Sequence, residues 1–132
     1  MGYTIYWHIY KGGDWTPREW NLLCQHYKGL KEMGSMYCPN IFEDRTESHD
    51  EISFNGSEGE SCEDFTLYQN GFSGDHYIRN DRHPDYAFYF VKTDRQDYTR
   101  AVLSLLEFAH KLNPSSISIH DDDGKELDRV PQ

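Results

Sequence analysis

The sequence has no long apolar run and few cysteines. No segment approaches the roughly 20 apolar residues that span a bilayer, and the N-terminal residues lack the apolar core of a signal peptide. The three cysteines cannot all pair within one chain, and they stand at no zinc-like spacing. We therefore expect a protein of the cytoplasm, in a reducing compartment and away from membranes.

Catalytic and metal-binding motifs are missing as well. The seven histidines are scattered, with no His-Glu-x-x-His motif and no pair at helical spacing. The acidic clusters do not have the spacing of an EF-hand loop. Because no convergent acid–base set is present, we expect a protein that is not an enzyme and that uses no cofactor and no metal.

Basic residues are outnumbered, with 13 Lys and Arg against 23 Asp and Glu and a net charge of −10. Residues 43 to 64 carry nine acidic groups and one basic group, which is most of the excess. Such a surface repels nucleic-acid phosphates and anionic membranes, and it attracts basic protein surfaces. We expect no direct binding of nucleic acid or membrane. The alternative use of this acidic segment is to keep the protein in solution.

Apolar residues make up only 36% of the chain, whereas 15% of its residues are aromatic. Aromatic rings bury a large area each, so a core of Tyr, Phe and Trp can fold a chain of low mean hydropathy. The 132 residues suit one domain, residues 1–132, with a single core.

Periodicity predicts seven regular elements in the order β-α-β-β-β-α-β. Thr16, Pro17 and Glu19 form the N-terminal signature of the first helix, which Gly34 is expected to end. The expected strands and helices are strand 3–10, the first helix, strands 51–55, 64–68 and 86–91, helix 98–112 and strand 115–120. This order predicts an α+β sandwich, a mixed or antiparallel sheet of about five strands with two helices on one face.

The remaining segments are polar and lack a helical or strand period. Irregular acidic loops are expected around 35–50 and 57–63, a long loop at 69–85, and a polar tail at 121–132. Asn55-Gly56 is expected to form a turn between the second and third strands, because this pair tolerates positive φ. Loops as long as 69–85 are uncommon in compact domains and often functional.

The segment from Lys92 to Arg95 joins an apolar strand to a helix and offers an anion-binding corner. The first amides of a helix lack partners within it and lie at the positive end of its dipole. With Lys92 and Arg95 beside them, these amides could hold a phosphate or a carboxylate. The competing interpretation is that Thr93 is an N-cap with Gln96 as its capping-box partner.

The first strand, from Tyr3 to Tyr10, consists of β-branched and aromatic residues throughout. Rings on one of its faces, such as Tyr6 and His8, could stack on a nucleobase or on another flat ligand. Alternatively, alternate rings pack beneath the helices and the others cover a sheet face or an interface. Of the thiols, Cys24 lies on an apolar helix face and is expected to be structural, and Cys62 is expected to have a raised pKa beside its acidic neighbours.

Several segments in this order resemble a family of small bacterial and phage proteins. They are Gly-Tyr-Thr-x-Tyr-Trp at 2–7, Thr16 with Trp20, Ile-x-Phe-Asn-Gly at 52–56, Glu-x-Phe at 63–65 and Phe-x-Lys-Thr-x-Arg-x-x-Tyr at 90–98. The likeness runs from Gly2 to Gly124, although this chain has Asp97 where the family commonly has Pro. The resemblance carries no activity, but small acidic phage proteins frequently act by binding.

Two binding functions follow from the resemblance. In the first, a phage-encoded protein of the bacterial host cytoplasm sequesters a small anionic ligand, such as a nucleotide signal of host defence. Its pocket, shared across a homo-oligomer in one version, would contain Lys92, Thr93, Arg95, Tyr98, Asn55, Tyr6 and His8. In the alternative, the acidic segment 43–64 binds a basic host protein as an inhibitor or mimics nucleic acid.

Overall fold

The computed structural model describes residues 3–10, 12–37, 43–57, 59, 61–74 and 86–122, and the side chains of 33–37 are outside this description. The described chain contains six strands and two helices. These elements are β1 (Thr4–Tyr10), α1 (Pro17–Tyr37), β2 (Glu43–Asp44), β3 (Glu51–Asn55), β4 (Phe65–Tyr68), β5 (Tyr86–Lys92), α2 (Thr99–Leu112) and β6 (Ile117–Asp121).

The predicted α+β class is confirmed, but the strands form two sheets instead of one. Sheet A has the order β5-β1-β6 and sheet B the order β2-β3-β4, and all pairings are antiparallel. β3 and β4 pair with each other as expected. β1 pairs with β5 and β6, whereas β3 pairs with β2 and β4, so the six strands divide into two sheets.

In sheet A, α2 connects two strands that are not neighbours. β5 and β6 both run antiparallel to β1 and lie on either side of it. Because side chains alternate between the faces of a strand, Ile5, Trp7 and Ile9 point to one face and Tyr6, His8 and Tyr10 to the other. The first three residues are buried, and the second three are half-buried or exposed.

Residues from both helices and both sheets form one core cluster. Trp7 in β1 lies at the junction of the sheets, with its ring centroid 5.2 Å from that of Phe65 in β4. Leu23 of α1 and Leu105 of α2 are fully buried in the same cluster. The core is therefore built around aromatic rings, as the composition predicts.

The capping box predicted at the start of α1 is confirmed. Thr16 N donates to Glu19 Oε1 at 2.9 Å, and Glu19 N donates to Thr16 Oγ1 at 3.1 Å. The predicted helix end is wrong, because α1 continues past Gly34 to Tyr37. Gly costs only about 1 kcal/mol in a helix relative to Ala, and here it does not end the helix.

The irregular regions differ from the predictions at several points. The loop predicted at 35–50 begins inside α1 and contains the short strand β2. The expected Asn55-Gly56 turn with positive φ is wrong; positive φ occurs at Gly12, Gly59, Asp94 and Arg95 among the described residues. β6 includes Asp121, so the predicted tail begins one residue later than expected. Most of the long loop and most of the tail lie outside the described residues.

Within the described residues, neither helix combines the length and the apolar character needed to cross a membrane.

Candidate functional site

The face of sheet A that points away from the core carries the most exposed aromatic rings of the described residues. We call it the outer face, and it is formed by Tyr6, His8, Tyr10, Tyr86, Phe88, Phe90, Ser118 and His120, with Thr4, Lys92 and Asp122 at one end. The side-chain period of a strand sets this arrangement, because successive residues point to opposite faces of the sheet. In β5, for example, Phe88 and Phe90 alternate with buried Ala87 and Val91.

The rings of the outer face contact one another across the strands. Tyr6 is stacked on Phe88 at 5.9 Å between ring centroids. His8 lies 5.2 Å from Phe88, 4.8 Å from Tyr86 and 6.0 Å from His120. Aromatic pairs at such separations stabilise a sheet and hold each other in place. The outer face is therefore a preformed aromatic surface.

This aromatic surface remains open to solvent. Phe90 is 55% exposed, and Phe88 and Tyr10 are each 38% exposed. They are the exposed large hydrophobic side chains of the described chain. Contiguous exposed apolar surface of this kind marks binding sites and interfaces in soluble proteins.

Full charges lie only at one end of the described outer face. Lys92 and Asp122 flank Thr4, whose amide donates to Asp122 Oδ2 at 2.8 Å. Tyr6 Oη donates to Asp122 Oδ1 at 3.1 Å, and this hydrogen bond raises the pKa of the phenol. Burial, with a smaller effect of His120, lowers the pKa of His8. The lowered pKa therefore favours the neutral form of His8 in the middle of the face.

The corner at Lys92–Arg95 does not begin a helix. α2 starts at Thr99, its N-cap is Tyr98, and no side chain caps it. The anion-binding and the N-cap interpretations both placed a helix start at this corner, and both are wrong on that point. Thr93 is not an N-cap, and no helix begins directly after it. Asp94 and Arg95 instead adopt left-handed backbone conformations, with φ of 52° and 60°.

Several amides that an anion would need at this corner are already used. Thr93 N and Asp94 N both donate to Tyr3 O, at 2.9 and 3.3 Å. Gln96 N donates to Thr93 O, and Thr99 N donates to Gln96 O. The corner is therefore a turn that is hydrogen-bonded to the residue before β1. Lys92 and Arg95 would contact a ligand through their side chains.

Those two cations lie in different surroundings. Lys92 is exposed at the end of β5, and its amide donates to Glu63 Oε1 at 2.7 Å. The Arg95 guanidinium lies over the ring of Tyr3, 4.1 Å from the ring centroid. Lys92 is therefore the cation that shares a face with Phe88 and Phe90.

Three predicted ligand residues are buried and hold the structure together. Thr93 is fully buried, and its Oγ1 accepts a hydrogen bond from Thr99 Oγ1 at 2.8 Å. Tyr98 is also fully buried, and its Oη donates to Glu63 O at 2.8 Å. Burial raises the pKa of the Tyr98 phenol, so this group stays neutral.

Asn55 is the third of these buried residues, and it links the end of β3 to the residues that precede β4. Its Oδ1 accepts from Gly56 N at 2.7 Å and from Cys62 N at 3.0 Å, and its Nδ2 donates to Cys62 O at 3.1 Å and to Asp64 Oδ1 at 2.8 Å. Asn55 is 5% exposed. Its donors and acceptor are thus satisfied within the chain.

The structure brings Tyr6 and His8 together on the outer face and adds two residues that the sequence analysis did not select. Phe88 and Phe90 belong to the apolar strand before the corner. The run Ala87-Phe88-Tyr89-Phe90-Val91 is apolar or aromatic throughout and shows no period-2 alternation, so the sequence held no clear signal for them, and the register against β1 places them.

A concave surface lies on sheet B. This acidic groove has a volume of about 530 Å³ and is lined by Asp44, Arg45, Thr46, Glu47, Glu51, Ser53, Asp64, Thr66 and Tyr68. Four carboxylates and one guanidinium give its lining a negative charge. Burial and the charges of Glu51 and Asp50 raise the pKa of Tyr68.

The thiols of Cys24 and Cys62 are not activated. Burial and then the hydrogen bond to Asp94 raise the pKa of Cys62, which confirms the expected direction. Burial raises the pKa of Cys24 on α1. In the described part of the chain, no three His, Cys, Asp or Glu side chains are placed to hold a metal ion.

Comparisons of the chain with protein-family models, with curated proteins and with solved structures find no match. The likeness to small bacterial and phage proteins therefore rests on the ordered sequence segments alone.

Proposed function

We propose that this protein binds a small planar ligand with an anionic group, of the nucleotide class, on the outer face of sheet A. The observation that carries the proposal is the open row of rings on β5, in which Phe88 and Phe90 are 38% and 55% exposed. Stacking of a base on an aromatic side chain contributes about 1–3 kcal/mol. A preformed ring surface also spares the ligand much of the cost of ordering its site.

Lys92 supplies the cation for the anionic group. It follows Phe90 by two residues on the same strand face, which is about 7 Å along a strand. A planar base over Phe90 and an attached phosphate at Lys92 fit this separation. Asp122 lies at the same end of the face and opposes an anion, so we expect the rings to contribute more affinity than the charge.

The nucleotide hypothesis is tested by measuring the affinity of a panel of mononucleotides, cyclic dinucleotides and matching nucleosides by calorimetry. Phe90→Ser should lower the affinity at least tenfold, because it removes the most exposed ring. Lys92→Ala should lower the affinity for nucleotides about three- to tenfold and leave that for nucleosides unchanged. Lys111→Ala, which removes an exposed lysine of α2, is the matched control.

Binding that survives Phe90→Ser unchanged would overturn the assignment of the face. Equal effects of Lys92→Ala on nucleosides and nucleotides would overturn the role given to Lys92. Arg95→Ala should weaken binding less than Lys92→Ala, because the guanidinium already lies over Tyr3.

A narrower version of this function is that of a cytoplasmic, phage-encoded protein that sequesters a nucleotide messenger of host defence. Its support is the sequence resemblance and the expected absence of a reaction. The outer face of sheet A is an argument for the class of the ligand. The same nucleotide panel would identify the messenger itself.

The acidic groove on sheet B favours a second candidate, the binding of a basic partner. Its lining includes Asp44, Glu47, Glu51 and Asp64 against a single Arg45. Such an arrangement attracts cationic groups and speeds their approach at low ionic strength. A basic protein segment, rich in Lys and Arg, is the partner that this groove would take.

An arginine-rich peptide tests the second candidate by fluorescence anisotropy at several salt concentrations. Glu47→Gln with Glu51→Gln should weaken binding about tenfold at low salt, because two carboxylates of the groove lose their charge. Asp97→Asn with Glu107→Gln, two exposed carboxylates away from the groove, controls for net charge. Equal weakening by both double variants would show that net charge, and not the groove, attracts the peptide.

A further inference from the structure

The outer face of sheet A is asymmetric across its strands. β5 presents large rings, Phe88 and Phe90, whereas β6 presents the smaller Ser118 and His120. The register places Phe88, His8 and Ser118 in one row across the sheet. The next row contains Phe90, Tyr6 and His120. Each row therefore runs from a bulky residue on one edge strand to a smaller one on the other.

The two charged residues of the face also lie on opposite sides of β1. Lys92 pairs in register with Thr4 on the β5 side. Asp122 lies on the β6 side of the same residue, where its carboxylate accepts from Thr4 N. Opposite charges thus lie at the same end of the face and on opposite edges. In a chain with a net charge of −10, this face is nearly neutral.

We propose that a second copy of this chain covers the outer face, related to the first by a two-fold axis nearly parallel to β1. A rotation about this axis leaves each strand end over the same strand end of the other copy and exchanges the two edges of the sheet. β5 of each copy therefore lies over β6 of the other. Phe88 then lies over the partner's Ser118, and Lys92 lies over the partner's Asp122. Aligned packing of two sheets about 10 Å apart has this geometry.

The other face-to-face two-fold, perpendicular to the strands, is less favourable. It would place β5 over β5, so the large rings of Phe88 and Phe90 would oppose the same rings in the partner. It would also move Lys92 and Asp122 over the uncharged end of the face that holds Tyr10 and Tyr86. Only the axis along β1 matches the large rings of β5 with the smaller side chains of β6 and positive with negative charge at once, while the side chains of β1 face their own copies.

The dimer should be weak. Three strands about 4.8 Å apart and seven residues of about 3.3 Å give a face of roughly 300 Å² per copy. Stable interfaces bury about 800 Å² per partner, so this contact belongs with the transient ones. The net charge of −10 on each copy adds repulsion, which salt screens. Because salt also screens the attraction of Lys92 for the partner's Asp122, the expected mark of this dimer is that it forms only at high protein concentration.

The dimer and the proposed ligand would use the same surface and so would compete for it. Self-association can nevertheless be measured without any ligand. A failed dimer test would leave the nucleotide hypothesis intact, and a failed nucleotide test would leave the dimer intact. A ligand that stacks on Phe90 should shift the equilibrium toward the monomer.

Sedimentation equilibrium over concentrations from low micromolar to near-millimolar tests this arrangement. Lys92→Glu should raise the dimer dissociation constant about tenfold, because two ion pairs become two repulsions. Asp122→Lys should also weaken the dimer, and the double variant Lys92→Glu, Asp122→Lys should recover it. Lys111→Glu, the same charge change on α2, should leave it unaffected. Thermal melting of each variant checks that the fold persists.

A protein that stays monomeric at the highest concentration would overturn the dimer. A dimer insensitive to Lys92→Glu, or not recovered in the double variant, would overturn the proposed two-fold. Phe90→Ser supplies an independent check that avoids Asp122 and its hydrogen bonds to β1. It should abolish self-association, and retention of the dimer would contradict the use of this face.

Discussion

Trp7→Ala should lower the free energy of unfolding by about 3–5 kcal/mol, the range found for removing a buried aromatic ring from a core. Trp7 is 2% exposed and lies between Phe65 of sheet B, at 5.2 Å, and Tyr89 of β5, at 5.7 Å. Its loss would therefore open a cavity at the junction of the two sheets. The total free energy of unfolding of a small domain is only about 5–15 kcal/mol, so much of the stability would be lost.

Urea denaturation followed by far-ultraviolet circular dichroism measures the effect of Trp7→Ala. Phe90→Ala is the matched control, because it removes a ring of sheet A that is 55% exposed. We expect the control to change the free energy of unfolding by less than about 1 kcal/mol. Equal effects of the two substitutions would contradict the assignment of one face of the sheet to the core and the other to solvent.

Asn55→Ala should lower the free energy of unfolding by about 2–4 kcal/mol, somewhat less than Trp7→Ala. The substitution leaves Gly56 N and Cys62 N without their acceptor, and each unsatisfied amide costs about 1–3 kcal/mol where it is buried. It also removes the donor to Asp64. Asn21→Ala, an exposed asparagine of α1, should change stability little.

Urea denaturation of Asn55→Ala also separates a structural role from a ligand-binding role. If the variant keeps the stability of the parent protein but loses a ligand, Asn55 belongs to a binding site, as the sequence analysis expected. If stability falls and the remaining folded protein binds normally, the residue serves the link between β3 and β4. The hydrogen bonds of Asn55 favour the second result.

Local signals predicted local structure well in this chain. The capping box at Thr16 and Glu19 depends on residues three positions apart, and it is present. The strand predicted at 3–10 and the helix predicted at 98–112 likewise depend on near neighbours, and β1 (Thr4–Tyr10) and α2 (Thr99–Leu112) lie within one residue of these bounds. These features follow from the geometry of single helices and strands.

Features that depend on distant partners could not be predicted in the same way. The corner at Lys92–Arg95 has the composition of a helix start, but the amides of Thr93 and Asp94 donate to Tyr3 O, some ninety residues earlier in the chain. This contact holds Asp94 and Arg95 in left-handed conformations that their sequence does not favour. The division into two sheets likewise depends on β1 having both its edges occupied.

The same limit applies to the candidate site. Tyr6 and His8 could be selected because β1 is rich in aromatic residues. Phe88 and Phe90 could be placed beside them only after the register of β1 against β5 was known. Conversely, Thr93, Tyr98 and Asn55 are polar or amphipathic residues in recognisable segments, but their side chains are buried by elements far away in the chain.

The most direct test of the outer face as the binding surface is a nucleotide titration followed by aromatic proton–carbon NMR spectra. The protein should be dilute enough to remain monomeric. We expect the ring signals of Tyr6, His8, Phe88 and Phe90 to shift together, while those of Phe54 and Phe65 in sheet B stay in place. Shifts confined to sheet B, or saturable binding without any shift on the outer face, would contradict the proposed site.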